Sequence, residues 1–158
     1  MSRVKTWHKV TLGVSAAAMI AAGLARGYEG LRLHVYSDVG GTPTDCFGDT
    51  HHVKPGHVYT KAECEAILQL DMAADLSGVQ RCISQPMTTQ QLAAFGDLAY
   101  NIGVPRFCRS TIARRFNSGD IAGACAAIKW YVYASGKRLP GLVKRRAAEY
   151  RLCMQGVQ

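Results

Sequence analysis

Six cysteines, at positions 46, 64, 82, 108, 125 and 153, constrain this chain more than any other feature. Their number is even and high for 158 residues. No two form a C-x-x-C pair, so neither a zinc ribbon nor a thioredoxin-type motif is present. Three disulfides formed in an oxidising compartment are the simplest account. Six cysteines allow fifteen connectivities, and sequential pairing (46–64, 82–108, 125–153) is the expectation adopted here. Each bridge then staples neighbouring elements and contributes about 3 kcal/mol in the chain-entropy picture. The length suits one domain with a substantial core. With 48% apolar and 19% charged residues, the composition excludes disorder.

A net charge of +8 favours an anionic partner: nucleic acid, acidic lipid or a wall polymer. The basic residues are dispersed except at Lys144-Arg145-Arg146, and no nucleic-acid-binding motif accompanies them. Nucleic acid is therefore not expected as a partner. Residues 1–9 carry Arg3, Lys5, His8 and Lys9 without an acid, and residues 10–25 then run uncharged to Arg26. A basic start followed by an uncharged stretch is an export signal. Sixteen residues of helix span about 24 Å, short of the roughly 30 Å hydrocarbon core. Six alanines, two glycines, a serine and a threonine make the stretch only weakly apolar.

Local signals place the remaining elements. Val35-Tyr36 and Phe47 suggest strands joined by turns at Gly40-Gly41 and Thr42-Pro43, a small antiparallel hairpin sheet near residues 33–60. Thr60-Lys61-Ala62-Glu63 is a capping-box signature opening a helix that should end near Ser77-Gly78. Thr88 opens another helix, which should stop around Gly103-Val104-Pro105. Ser110 and Asp120 cap two shorter helices, and the second runs through Ile128 and Trp130 to a break at Ser135-Gly136. Pro140 starts a last helix to about Cys153, with Arg145 and Glu149 at i, i+4. The fold class is α+β and mostly helical. His51, His52, His57 and Cys46 match no zinc spacing, so neither a metal nor a cofactor is expected.

Chemistry concentrates between Tyr28 and Thr50. Glu29 follows the Ala/Gly-rich helix, while Asp38 and Thr44 fall on the hairpin. Two carboxyls so placed can flank a sugar–sugar bond, one protonating the leaving oxygen while the other handles water or developing positive charge. Glu29-Gly30-Leu31-Arg32-Leu33, Tyr36, Asp38, Pro43-Thr44 and Phe47-Gly48 resemble the catalytic signature of phage-type lysozymes, glycoside hydrolase family 24. In that family a Glu, an Asp nine positions on and a Thr six further form the catalytic triad, and Glu29, Asp38 and Thr44 match all three. The resemblance continues through Asn101-Ile102-Gly103, Phe107, Ser110-Thr111, Leu139-Pro140-Gly141-Leu142 and Arg145-Arg146. One departure concerns the G-x-G-H run after the Thr. Here it reads Cys46-Phe47-Gly48-Asp49, with Asp49 where the family has His.

The resemblance implies a lysozyme-like fold and inverting hydrolysis of the β-1,4 bond between N-acetylmuramic acid and N-acetylglucosamine in peptidoglycan. Glu29 would be the general acid, its proton favoured by apolar Tyr28, Leu31 and Leu33. Asp38 would stay ionised, and Thr44 would orient water. Asp45 and Asp49 are the rival carboxylates. Gly48, Tyr100, Asn101 and Ser110 match family positions near the cleft, with Gly48 letting sugar approach the backbone. Residues 1–25 read as a signal-arrest-release segment, as in exported endolysins, ahead of a catalytic domain at 26–158. It would associate transiently with the inner membrane through residues 10–25, and then release a monomer to the periplasm. Cleavage after Ala25 is the less favoured alternative, since it would leave three residues before Glu29. Three rival functions remain: a lytic transglycosylase, a non-catalytic wall-binding protein, and a small membrane-acting protein.

Overall fold

The computed structural model describes residues 4–157, and side chains from residue 16 onward. The fold is built around one buried helix. α3 (Thr89–Ile102) has every residue from Gln91 to Ala99 buried, the signature of a helix surrounded on all sides. α1 (Val4–Glu29), α2 (Lys61–Cys82) and α7 (Pro140–Met154) pack around it. α1 does so through Ala17, Ala21, Ala22 and Ala25, which are all buried. This spacing puts one small-residue stripe on α3, and the helix continues past residue 25 without a break.

Between α1 and α2 lies the expected hairpin, β1 (Arg32–Ser37) antiparallel to β2 (Pro43–Cys46), with His34 also bridging Val58. Gly30 at φ 71° turns the chain out of α1 into β1, a backbone conformation that favours glycine. Both capping boxes form, Thr60 with Glu63 and Thr88 with Gln91. Ser110 and Asp120 cap α5 (Thr111–Asn117) and α6 (Ile121–Ala127), and a 3-10 turn carries the chain on to Trp130. A second small hairpin, β3 (Tyr133–Ala134) with β4 (Lys137–Arg138), occupies the Ser135-Gly136 break. The sequence had marked only a turn there.

The three disulfides pair sequentially as expected. Cys46–Cys64 joins β2 to α2, Cys82–Cys108 joins α2 to α4 (Val104–Cys108), and Cys125–Cys153 joins α6 to α7. Phe95, Phe107 and Phe116 meet at ring separations of 5.3 Å and tie α4 and α5 to the core.

Two boundaries differ from the expectation: the Asp120 helix ends at Ala127, where the 3-10 turn takes over, and α2 ends late. α2 runs to Cys82 instead of stopping at Ser77-Gly78, because Gly78 is a packing residue. A Cβ there would sit 2.6 Å from Val104 Cγ1, so the missing side chain is what lets α4 approach α2. Gly78→Ala should therefore destabilise the oxidised protein by about 1–3 kcal/mol from overpacking, against a gain of about 1 kcal/mol in helix propensity. Gly23, with nothing within 4 Å of its would-be Cβ, should gain stability on the same change. Urea unfolding of the two variants should give opposite signs.

Candidate active site

Glu29 is the last residue of α1, and its side chain leaves the helix toward α7. Its carboxylate meets the Arg145 guanidinium in a short charge-assisted hydrogen bond. Arg145 is itself held from behind by Asp97 of α3, with Nε and Nη2 reaching the two carboxylate oxygens at 2.9 and 2.8 Å. Both Arg145 and Asp97 are buried. Burial works against the arginine's charge, but the Asp97 hydrogen bonds and the charges of Asp97 and Glu29 outweigh it and push the guanidinium pKa up. Asn101 joins the same cluster from the other side, accepting from Arg146 at 3.1 Å. These surroundings differ from those expected for Glu29. Tyr28 and Leu31 are both 39% exposed, and a paired arginine, not an apolar pocket, contacts the acid.

The loop after β2 closes over Glu29. Gly48, at φ 83°, passes so close that a Cβ would lie 3.0 Å from Glu29 Oε2. The sequence reading gave that space to sugar, whereas in the structure the Glu29 carboxylate fills it. Tyr100 fixes the same loop by donating its hydroxyl to the Phe47 carbonyl at 2.8 Å. Burial, followed by the nearby carboxylates, pushes the Tyr100 hydroxyl pKa up, so it stays a donor. Gly48 and Tyr100 both line a cleft of about 510 Å³ bounded by the 48–52 loop, α2, and the α3–α4 junction.

Asp38 sits on the hairpin turn, exposed, with Oδ1 accepting from the Gly40 and Thr42 amides at 2.8 Å each. Thr44 is buried, and its hydroxyl donates to the Thr42 carbonyl at 2.9 Å. It pairs across the ladder with Tyr36, so the two side chains share a face. Sequence reasoning quoted Tyr36 in the family signature but gave it no role. Its hydroxyl pKa is raised by burial first, then by the negative charge of Glu29, with Asp38 adding to it. Ser110 caps α5 and does not line the cleft. Of the rivals, Asp45 is wholly buried, and burial pushes its carboxyl above the ordinary range.

Asp49, in the usual histidine's place, is buried and accepts backbone hydrogen bonds from His51 and His52. The imidazole returns from another position: His52 Nδ1 lies 3.4 Å from Asp49 Oδ1 and 3.5 Å from Asp71 Oδ1 on α2. One turn further along α2, Asp75 shares the cleft wall. Burial, then Asp49, pushes Asp71 up to about 6, and burial, then Asp71, pushes Asp75 up to about 7.

The Phage lysozyme family model matches residues 26–149. This chain belongs to the phage lysozyme family. It is 34% identical over 148 residues to the SAR-endolysin of Bacteriophage PS119, covering 93% of this chain and 89% of that one. It is 38% identical over 133 residues to the SAR-endolysin of Enterobacteria phage P21, covering 84% and 81%. Among solved structures, the muramidase domain of SpmX from Asticaccaulis excentricus superposes with a TM-score of 0.77 at 27% identity, covering 85% of this chain and 94% of that domain. The protein is therefore a glycoside hydrolase of the lysozyme type.

Two outcomes test the electrostatics of this lysozyme's site. Asp97→Ala leaves Arg145 buried with one partner lost, and should cost about 3–5 kcal/mol in urea unfolding. Asp75 has a folded-state pKa of about 7, above its unfolded value near 3.9, so its contribution to stability falls as pH rises from about 4 to 7. Asp75→Asn removes that loss. Its unfolding free energy should match the wild type at pH ~4 and exceed it at pH ~8, by on the order of 1 kcal/mol for a part-exposed group.

Proposed function

We propose that this lysozyme is an endolysin that hydrolyses the β-1,4 bond between N-acetylmuramic acid and N-acetylglucosamine, with Glu29 as general acid and Asp38 and Thr44 on the water side. The observation that carries the reading is the seat of the Glu29 carboxyl against Gly48, a residue that lines the cleft together with Tyr100. A glycan in that cleft has Glu29 beside it at Gly48; with Oε1 held by Arg145, general-acid catalysis needs the proton on Oε2, the oxygen against Gly48, from which it passes to the leaving oxygen. Asp38 Oδ1 is committed to the turn, and Oδ2 remains to face water or the developing positive charge. With its own hydrogen given to Thr42, Thr44 Oγ1 acts as an acceptor. It orients the nucleophilic water by taking one of that water's hydrogens. This assignment gives inversion at the anomeric carbon, which requires the two carboxyls to stand about 6.5–9.5 Å apart.

The relatives named SAR-endolysins support a matching route to the wall. Residues 1–25 export the chain and tether it in the inner membrane through residues 10–25. They then withdraw, and residues 26–158 complete a monomeric catalytic domain in the periplasm. Among the described residues no helix is long and apolar enough to cross a membrane. Ala17, Ala21, Ala22 and Ala25 cannot lie in lipid and against α3 at once. The tethered form therefore lacks the packing that brings Glu29 to Arg145. Depolarisation, by weakening the field on the basic N-terminus, is the trigger.

Glu29→Gln should lower turnover on purified peptidoglycan by about 10²–10⁴-fold while the fold and wall binding persist. Product analysis by NMR and mass spectrometry should find the α-anomer formed first. Anhydro-sugar ends would make the enzyme a transglycosylase instead. Undiminished turnover by Glu29→Gln would remove Glu29 as the general acid.

A further inference from the structure

We propose that the cleft wall formed by Asp49, His52 and Asp71 is a binding site for one divalent transition-metal ion of the zinc class. A ligand atom from each of the three residues lies within 4.8 Å of those of the other two. The two distances from His52 Nδ1, 3.4 Å to Asp49 Oδ1 and 3.5 Å to Asp71 Oδ1, are long for hydrogen bonds. They match the edge of a coordination tetrahedron: bonds of about 2.1 Å from imidazole nitrogen and carboxylate oxygen set ligand atoms about 3.4 Å apart. One imidazole with two carboxylates suits zinc or manganese better than calcium or magnesium, which take all-oxygen shells. All three residues line the cleft, so a fourth coordination position faces solvent or ligand there.

A second observation points the same way. Asp45 and Asp49 are directly opposed antiparallel partners that exchange both backbone hydrogen bonds, at 3.0 and 2.9 Å. Such pairing sends both side chains to one side of the ladder. The Asp45 carboxylate is completely buried, and neither oxygen has a hydrogen-bond partner. The neighbouring Tyr59 hydroxyl gives its hydrogen to the His52 carbonyl at 3.1 Å. Among the described residues no lysine or arginine comes within 4 Å of the Asp49 or Asp71 carboxylates; their nearest basic groups are the imidazoles of His51 and His52. In a chain of net charge +8, this is a place where a bound cation supplies charge that the fold leaves uncompensated. Other ligand types are committed elsewhere. All six cysteines are in disulfides, and His57 pairs with Glu63 at 3.2 Å.

The sequence reading missed this set because Asp71 lies nineteen positions beyond His52, outside any local zinc spacing. The inference is independent of the roles assigned to Glu29, Asp38 and Thr44. Calorimetric titration of the oxidised full chain with zinc chloride, and visible absorption with cobalt(II), test it directly. One ion per chain should bind, with the intense bands of four-coordinate cobalt. His52→Gln, at a half-exposed side chain that the fold tolerates, and Asp71→Asn should each weaken zinc by about tenfold or more, whereas His57→Gln should not. Circular dichroism and melting establish that each variant is folded before titration. No binding up to millimolar zinc overturns the proposal, and so does stoichiometric binding that survives both His52→Gln and Asp71→Asn.

Discussion

A buried guanidinium holds the catalytic end of this molecule together. Arg145 of α7 is gripped by Asp97 of α3 and meets Glu29 at the end of α1, so one cation fixes three helices relative to one another. Taking such a charge out of water costs several kcal/mol, and the cost is recovered only when the hydrogen-bond geometry is good. The bidentate Asp97 contact supplies that geometry and leaves Nη1 for Glu29. Next along α7, Arg146 pairs with Glu149 at 2.9 Å and donates to Asn101. Burial pushes the Glu149 carboxyl up and the Arg146 guanidinium down, against the attraction between the two. The position of Glu29 is therefore a property of helix packing, with little freedom left to its own rotamer.

The second half of the site is held by different means. The 43–52 segment has little regular structure, yet four links tie it down. The Cys46–Cys64 disulfide and the Tyr100–Phe47 hydrogen bond anchor its start. Gly48 seats against Glu29, and Asp49 turns the chain by collecting the amides that follow it. Where the resemblance leads to a histidine this chain has the buried Asp49, and an imidazole stands three residues on at His52. His52 Nδ1 also reaches α2, lying 3.5 Å from Asp71 Oδ1.

Legibility followed the range of the forces. Capping boxes, Pro140 at the start of α7 and the turn glycines act over four residues or fewer, and each formed where the sequence placed it. Cysteine pairing was long-range: parity pointed to three disulfides, but nothing in the sequence selected among fifteen connectivities, and the sequential pairing that formed had been a guess. What stayed hidden was contact between distant segments. Gly78 looked like a helix stop because its packing partner, Val104, lies in another helix. Asp97 carried a signal that went unused. An acid between Phe95 and Leu98, on a helix otherwise apolar, must have a buried cationic partner, and the only open question was which arginine. Apolar neighbours in sequence were the wrong guide for Glu29, since residues adjacent in a chain leave a helix end in different directions.

Under the proposed tether, one composition of the N-terminal helix serves two solvents. Leucines in place of its alanines would hold residues 10–25 firmly in lipid, but at the buried Ala17, Ala21, Ala22 and Ala25 they would overpack the core. Alanine keeps helix propensity high at no side-chain entropy cost and permits close backbone approach. It also contributes little apolar area per residue to hold a helix in a bilayer. Weak partition into lipid and tight packing in the core are thus consequences of the same small side chain. Because Glu29 closes this helix, its carboxylate reaches Arg145 only when the alanine stripe has found α3. The ion pair at the site therefore reports whether the N-terminal segment has folded as part of the enzyme.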